Sequence, residues 1–134
     1  MKLMLKSLSA ITLGLSTFAA FATPTHLTTH NNTTEESNAF IAGVPSPYPT
    51  APNKTRQVFW NLVKMACYGH TPDKDKNKCE ATIKMATNTA SPITIGTLSM
   101  DLATGDINPK ELSAKGYTLT VNGLGETTIT KDND

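Results

Sequence analysis

The side chains best placed for chemistry lie between the two cysteines of the chain, Cys67 and Cys79. Oxygen ligands alternate there in the pattern that opens a calcium loop, at Asp73, Asp75 and Asn77. A calcium loop then requires a glycine and a bidentate glutamate, but lysines stand at both places, Lys78 and Lys84, and would repel a cation. The sequence therefore predicts a solvated loop without a bound metal ion.

His70 is the candidate for acid–base catalysis in the same loop, because a carboxylate such as Asp73 could orient and charge its imidazole. A single histidine in a polar loop is more often an ordinary surface residue. The chain also lacks a G-x-S-x-G nucleophile motif, a glycine-rich phosphate loop and the usual zinc-ligand spacings. We therefore predict no catalytic residue and no cofactor, and we do not expect an enzyme.

The N-terminus predicts export. Lys2 and Lys6 form a positively charged region, Leu8–Phe21 is apolar and short, and Ala20-Phe21-Ala22 fits a cleavage site of the A-x-A type. These features indicate a signal peptide over residues 1–22 and a mature chain that begins at Thr23. The expected location is the periplasm or the outside of the cell.

The charge of the mature chain excludes some classes of partner. Two of the 12 basic residues belong to the signal peptide, so ten remain against 11 acidic residues, a net charge of −1. A nearly neutral chain without a basic block argues against nucleic acid as a partner. No later apolar segment is long enough for a spanning helix, which argues against membrane insertion.

Two cysteines in an exported chain are expected to form one disulfide, because the compartments outside the cytoplasm are oxidising. The alternative is a pair of free thiols, with Cys67 as a nucleophile that would need an adjacent base. A Cys67–Cys79 bridge would stabilise the fold by about 3 kcal/mol, mainly through the unfolded state.

The segment Arg56–Ala86 organises the rest of the chain as two arms around this disulfide. The second arm is a clear strand, because apolar residues alternate with polar ones at Cys79, Ala81, Ile83 and Met85. The first arm, Val58–Tyr68, fits either a helical stripe or a strand, and its β-branched and aromatic residues favour the strand. We therefore predict an antiparallel hairpin whose disulfide sets Val63 opposite Ile83.

Further short strands are predicted after this hairpin. Ile93–Ile95 and Leu98–Leu102 alternate with opposite parity around Gly96, where a β-bulge would direct both sets towards the core. A last strand is expected over Thr127–Thr130. Tight turns should connect the strands at Gly105, at Lys115-Gly116 and at Asn122-Gly123.

The predicted fold is all-β: a small antiparallel meander that forms a sandwich or a partly open barrel with one disulfide. The domain is expected over residues 55–131. Residues 23–54 are rich in Thr, Asn and Pro and poor in large apolar side chains, so we expect a disordered leader, in which Phe40-Ile41-Ala42 could dock or add an edge strand. The predicted core consists of Phe59, Val63, Met65, Ile83, Met85, Ile95, Leu98, Met100, Leu102, Leu119, Val121 and Ile129.

Two surfaces are candidates for binding a protein or glycan partner. Trp60 and Leu62 have no apolar partner in the predicted hairpin, so they form either an exposed patch or a core contact with another layer. The disulfide-closed loop Tyr68–Lys78 offers polar and aromatic contacts at Tyr68, His70, Asp73 and Asp75.

The chain resembles small secreted proteins of unassigned function from Gram-negative bacteria that live inside host cells. The resemblance rests on the signal peptide and on three stretches: CYGHTPDKDKNKCEATIKMATN, IGTLSMDLATGDI and GYTLTVNG. It implies an exported protein and no particular site. We therefore predict an exported, non-enzymatic protein that binds an envelope or host partner. The alternatives are an inhibitor of a secreted lysozyme or protease that uses the Tyr68–Lys78 loop, and an enzyme built on His70, Asp73 and acidic residues of the turns between strands.

Overall fold

A computed structural model describes residues 23–132, in which ten strands and one helix form. The predicted signal peptide lies outside the described residues. In chain order the elements are β1 His26–Asn32, β2 Ser37–Ile41, β3 Val44–Pro45, β4 Thr55–Phe59, α1 Trp60–Cys67, β5 Lys78–Met85, β6 Ile93–Asp101, β7 Ile107–Asn108, β8 Glu111–Ala114, β9 Tyr117–Gly123 and β10 Glu126–Lys131.

The strands form two five-stranded sheets that share one apolar core. The first sheet has the order β4-β1-β10-β9-β8 and the second the order β3-β2-β5-β6-β7. Side chains of both sheets meet in the core, with Ile83 and Met100 from the second and Leu119 and Ile129 from the first. The predicted all-β class and the two-layer form are confirmed. The order is more complex than a simple meander, because β1 lies parallel to β10 and β2 lies beside β5.

The alternating pattern of β5 and the bulge in β6 are as predicted. Every second residue of β5 from Cys79 to Met85 is buried. Ile83 pairs with Gly96 and Lys84 pairs with Thr94, so the register skips Ile95, which is buried. This bulge keeps apolar residues of both parities in the core.

Three strands, β1, β2 and β3, form where disorder was predicted, so that prediction is wrong for residues 26–45. β1 lies between β4 and β10, and β2 lies between β3 and β5. Phe40 and Ile41 thus join a sheet, although not as its outermost strand. The segment is ordered because its main chain pairs with distant strands, and local composition does not report such partners.

The predicted strand over Val58–Tyr68 is also wrong, because β4 ends at Phe59 and α1 begins at Trp60. Buried residues recur at helical spacing, namely Trp60, Val63 and Cys67. Two predicted core residues lie on the other side and are exposed, Phe59 by 63% and Met65 by 69%.

Because the first arm is a helix, the predicted register of the hairpin is wrong as well. Ala81 and Ile83 pair with Leu98 and Gly96 of β6 instead of with the segment before the loop. The disulfide itself is confirmed: Cys67 Sγ bonds Cys79 Sγ at 2.07 Å and joins the end of α1 to β5. A disulfide constrains only the distance between two residues, which a helix end satisfies as well as a strand.

Of the predicted hairpin turns, one is confirmed and one is displaced. Lys115 and Gly116 both have positive φ between β8 and β9. Asn122 and Gly123 instead belong to β9, and the turn uses Gly125, whose φ is +64°. Tertiary contacts select this position, because the Gly125 N–H donates to the Gly105 carbonyl at 2.8 Å.

Within residues 23–132 no helix is both long and apolar enough to cross a membrane.

Candidate ligand-binding site

The sandwich is closed along one side and open along the other. On the closed side the chain passes from β7 to β8 within two residues, and Leu112 packs so tightly on Gly96 that a Cβ there would lie 3.1 Å from Leu112 Cδ2. On the other side the outermost strands are β3 and β4. The segment that joins them, residues 46–54, is called the strap below. The strap and α1 flank the opening between the two sheets.

A cavity of about 450 Å³ extends from this opening into the core. Its inner end is bounded by core side chains that are only 1–9% exposed, namely Ile83, Leu98, Met100, Ile107, Leu119 and Ile129. Its mouth is apolar as well and is formed by Ile41, Val44, Pro47, Tyr48, Leu62 and Met65. Clefts that bind small molecules have volumes of about 300–1,000 Å³ and mostly apolar walls, and this cavity fits that description.

Helix α1 forms one wall of the mouth and is held at both ends. At its start, the Trp60 indole Nε1 donates a hydrogen bond to the Leu102 carbonyl at 2.9 Å. At its end, Cys67 is bonded to Cys79, and both cysteines are fully buried. Leu62 and Ala66, one turn apart on α1, line the cavity. The helix wall therefore has little freedom to move inward.

The strap forms the opposite wall and is held by the buried side chain of Asn31. The Asn31 amide nitrogen donates to the carbonyls of Glu35, Thr50 and Ala51, at 2.7, 3.1 and 3.3 Å. Its oxygen accepts hydrogen bonds from the Thr33 N–H and hydroxyl, at 3.1 and 2.7 Å. Every hydrogen-bonding group of this amide is thus used. The network fixes the strap on β1.

Arg56 connects the strap to β4 at the mouth of the cavity. Its Nη1 donates to the Pro49 carbonyl at 3.0 Å, and its Cζ lies 5.4 Å from the centroid of the Tyr48 ring. Of the residues that line the cavity, Arg56 and His70 are the ones that can carry positive charge, and none is Asp or Glu. The site is therefore apolar inside with positive charge at its rim.

The structure separates the six side chains predicted to contact a partner. Trp60 is only 3% exposed and belongs to the core, so its prediction as a partner contact is wrong, because α1 turns the indole inward. Leu62 and His70 both line the cavity. Tyr68 is 87% exposed and does not line the cavity.

The two acidic residues of the loop make local contacts. Asp73 Oδ1 lies 3.1 Å from Lys76 Nζ, and Asp75 Oδ1 accepts a hydrogen bond from the Asn77 N–H at 3.0 Å. The structure thus pairs Asp73 with a lysine rather than with His70. Among residues 23–132, no group of three or more His, Cys, Asp and Glu side chains is arranged to hold a metal ion.

Sequence reasoning missed the cavity and the strap that borders it. The residues concerned, such as Ile41, Tyr48 and Arg56, lie in or next to the segment predicted as disordered. The only sequence signal was the apolar Phe40-Ile41 pair before the proline-rich run. That signal indicates a contact with the domain, but it does not indicate a cavity.

One further polar cluster lies on the outer face of the first sheet. His30 Nδ1 is 2.9 Å from Thr55 Oγ1, and His30 Nε2 is 2.7 Å from Glu126 Oε2. A hydroxyl, an imidazole and a carboxylate also form nucleophilic triads. Here the three side chains lie on neighbouring strands, β4, β1 and β10, on the face of the sheet that points away from the cavity. Their hydrogen bonds are explained as cross-strand contacts that stabilise the sheet.

Comparison with known proteins places the chain in a family of secreted proteins. A family model described as the T2SS substrate NttC matches residues 1–132. The crystal structure of the Legionella pneumophila type II secretion system substrate NttC has 64% sequence identity and a TM-score of 0.77, covering 81% of this chain and 99% of that chain. None of the curated proteins matches the chain. These similarities confirm the resemblance to small secreted proteins and the expected location in the periplasm or outside the cell. The chain belongs to the NttC family of type II secretion system substrates.

Proposed function

We propose that this protein is an exported, non-enzymatic binding protein that takes an apolar ligand into the cavity between its two sheets. The observation that carries the proposal is the apolar cavity of about 450 Å³, open between the strap and α1. Membership of a family of secretion substrates supports export, and the ligand is inferred from the cavity.

The cavity interrupts the packing between the two sheets. Protein interiors are close-packed and contain few voids larger than a water molecule. The two walls of the mouth are held by different contacts. The Cys67–Cys79 disulfide holds α1, and the hydrogen bonds of Asn31 hold the strap. Walls held in this way resist collapse, which is what a preformed binding site requires.

The walls suit an alkyl chain or a ring system. Burying one methylene group contributes about 0.8 kcal/mol, so about ten methylenes would contribute about 8 kcal/mol. That free energy corresponds to a dissociation constant of about 1 µM, before the cost of association is subtracted. Weak to moderate affinity for an apolar molecule is therefore the expected scale.

The test is binding of the neutral apolar dye N-phenyl-1-naphthylamine to the mature protein. Ala39 lines the cavity from β2, so Ala39→Phe should fill part of it and weaken dye binding by at least tenfold. Thr94→Phe is the matched control, because it adds the same ring to an exposed position of β6. The proposal fails if the dye shows no saturable binding, or if Ala39→Phe binds as the wild type does while remaining folded.

The second candidate is a protein- or glycan-binding loop, as an inhibitor of a secreted hydrolase would use. Tyr68 favours it, because its side chain is 87% exposed although the disulfide fixes the preceding residue. Inhibition of a panel of lysozymes and secreted proteases by the mature protein is the test. Tyr68→Ala combined with His70→Ala should abolish inhibition while thermal unfolding stays unchanged, and an inactive wild type would exclude this candidate.

A further inference from the structure

We infer that the ligand of the cavity is a single-chain amphiphile with an anionic headgroup, and that Arg56 binds this headgroup at the mouth. The inference rests on the proposed function and names the chemical class of its ligand. It follows from the charge at the rim, from the geometry of Arg56 and from the apolar walls.

The charge at the rim has one sign. The cavity is lined by Arg56 and His70 and by no carboxylate. Within residues 23–132 the ion pairs are His30–Glu126, Lys76–Asp73 and Lys110–Asp106, so Arg56 takes part in none of them. A positive group without an acidic partner at the edge of an apolar site is complementary to an anion.

The guanidinium of Arg56 is held in place and still has donors to offer. Its hydrogen bond within the described residues is the one from Nη1 to the Pro49 carbonyl, and the Tyr48 ring lies beside it. A guanidinium has five N–H donors in a planar fork, which suits the paired oxygens of a carboxylate or a phosphate. Because Arg56 is exposed, a headgroup bound there would stay in contact with water while its alkyl chain enters the cavity.

The walls favour an alkyl chain over a peptide. A peptide inserted into the cavity would bury main-chain N–H and C=O groups, and each would need a hydrogen-bond partner. Of the polar residues of the lining, Ser37 and Thr50 already pair with each other through their main chains at 2.8 and 3.0 Å, and the Asn38 amide donates to the Ser46 carbonyl at 2.8 Å. An alkyl chain requires no such partners.

The experiment measures displacement of N-phenyl-1-naphthylamine from the mature protein by four C12 amphiphiles below their micelle concentrations. Dodecanoate and dodecyl phosphate should each bind at least tenfold more tightly than dodecanol, and dodecyltrimethylammonium should bind most weakly. A preference for dodecanoate points to free fatty acids as the source of the headgroup, and a preference for dodecyl phosphate points to phospholipid fragments. Either preference supports the inference.

Arg56→Gln should lower the affinity for both anions about tenfold more than it lowers the affinity for dodecanol, which measures any effect of the lost contact with the strap. Arg56→Lys should fall between the wild type and the glutamine variant, because it keeps the charge and loses the planar fork. Lys84→Gln is the control, because Lys84 lies over the Phe40 ring on the outer face of the second sheet and should not affect any ligand.

The outcomes separate this inference from the proposed function. Equal binding of dodecanol and the anions, or an Arg56→Gln variant that binds anions as the wild type does, would overturn the anionic headgroup and leave an apolar site. Failure of every amphiphile and of the dye would overturn both. A stable dimer in sedimentation velocity that excludes the dye would show that a second copy fills the mouth, and would also overturn both.

Discussion

Trp60 and Leu102 are joined by a hydrogen bond of 2.9 Å from the indole Nε1 to the main-chain carbonyl, although 42 residues separate them in sequence. The indole is almost fully buried and belongs to the core. This contact fixes the start of α1 against the end of β6. The tryptophan therefore supports the helical wall of the cavity from within the core, where its indole is almost inaccessible.

Trp60→Phe tests this role. The substitution keeps most of the apolar volume but removes the donor to the buried Leu102 carbonyl, so it should lower the free energy of unfolding by about 1–3 kcal/mol. Urea unfolding followed by far-UV circular dichroism measures the change. Tyr68→Phe, at an exposed aromatic residue, is the control and should change stability by less than about 0.5 kcal/mol. Equal stability of the two variants would contradict the anchoring role.

Removal of the disulfide should destabilise the whole domain. The two cysteines are 12 residues apart, and opening such a loop costs about 3 kcal/mol through the entropy of the unfolded chain. The double variant Cys67→Ala, Cys79→Ala should show this loss in urea unfolding, and it should bind the apolar dye more weakly because the end of α1 is released. Because both cysteines are fully buried, the wild-type bridge should resist reductants until the protein unfolds. Rapid reduction of the native protein would argue against this burial.

Asn31 should be the most sensitive polar residue of β1. Asn31→Ala removes the donors to three carbonyls and the acceptor for Thr33, which should lower the free energy of unfolding by about 3 kcal/mol. The adjacent Asn32→Ala, at an exposed position, should change it by less than about 0.5 kcal/mol. Hydrogen exchange of the Thr50 amide should accelerate in Asn31→Ala. A strap that stays protected would mean that other contacts hold it.

Asp106 gives a small pH dependence of known sign. The hydrogen bond from the Lys110 ammonium lowers the pKa of the Asp106 carboxyl, and desolvation opposes this effect only in part. Because the folded pKa lies below the unfolded value, the ionised carboxylate stabilises the fold above the ordinary aspartate pKa, and this contribution disappears as pH falls through the lowered value. Both side chains are about half exposed, so the effect on stability should not exceed about 0.5 kcal/mol.

An NMR titration of the Asp106 carboxyl carbon measures this pKa directly. In Lys110→Gln the pKa of Asp106 should rise towards that of a free aspartate. An unchanged titration in this variant would show that another group lowers the pKa.

Local sequence patterns determined much of the second sheet. The alternation from Cys79 to Met85 predicts β5 and its buried face, and the change of parity around Gly96 predicts the bulge in β6. Both features depend on neighbouring residues along one strand, where a period of two is sufficient information. The signals for export and for one disulfide are local as well, and the family relationship agrees with an exported protein.

The tertiary structure decided the helix and the position of β1. The segment from Trp60 to Cys67 fits the periodicity of a helix and that of a strand. It forms a helix because a helix directs both residues into the core, where Trp60 donates a hydrogen bond to Leu102 and Cys67 forms the disulfide with Cys79. β1 contains few large apolar residues, yet it is ordered because it pairs with β10, about 100 residues later, and because Asn31 finds partners on the strap.

The cavity depends on the formation of α1 and on the position of β1, which holds the strap. It exists because α1 and the strap lie at the edges of two sheets that do not close on each other. The sequence of a single segment cannot predict such a gap. The sequence by itself determined that the protein is exported, rich in strands and cross-linked once, because those properties reside in short stretches of chain. The candidate binding site required the tertiary structure, because it is formed by residues that are far apart in sequence and that only the packing of the two sheets brings together.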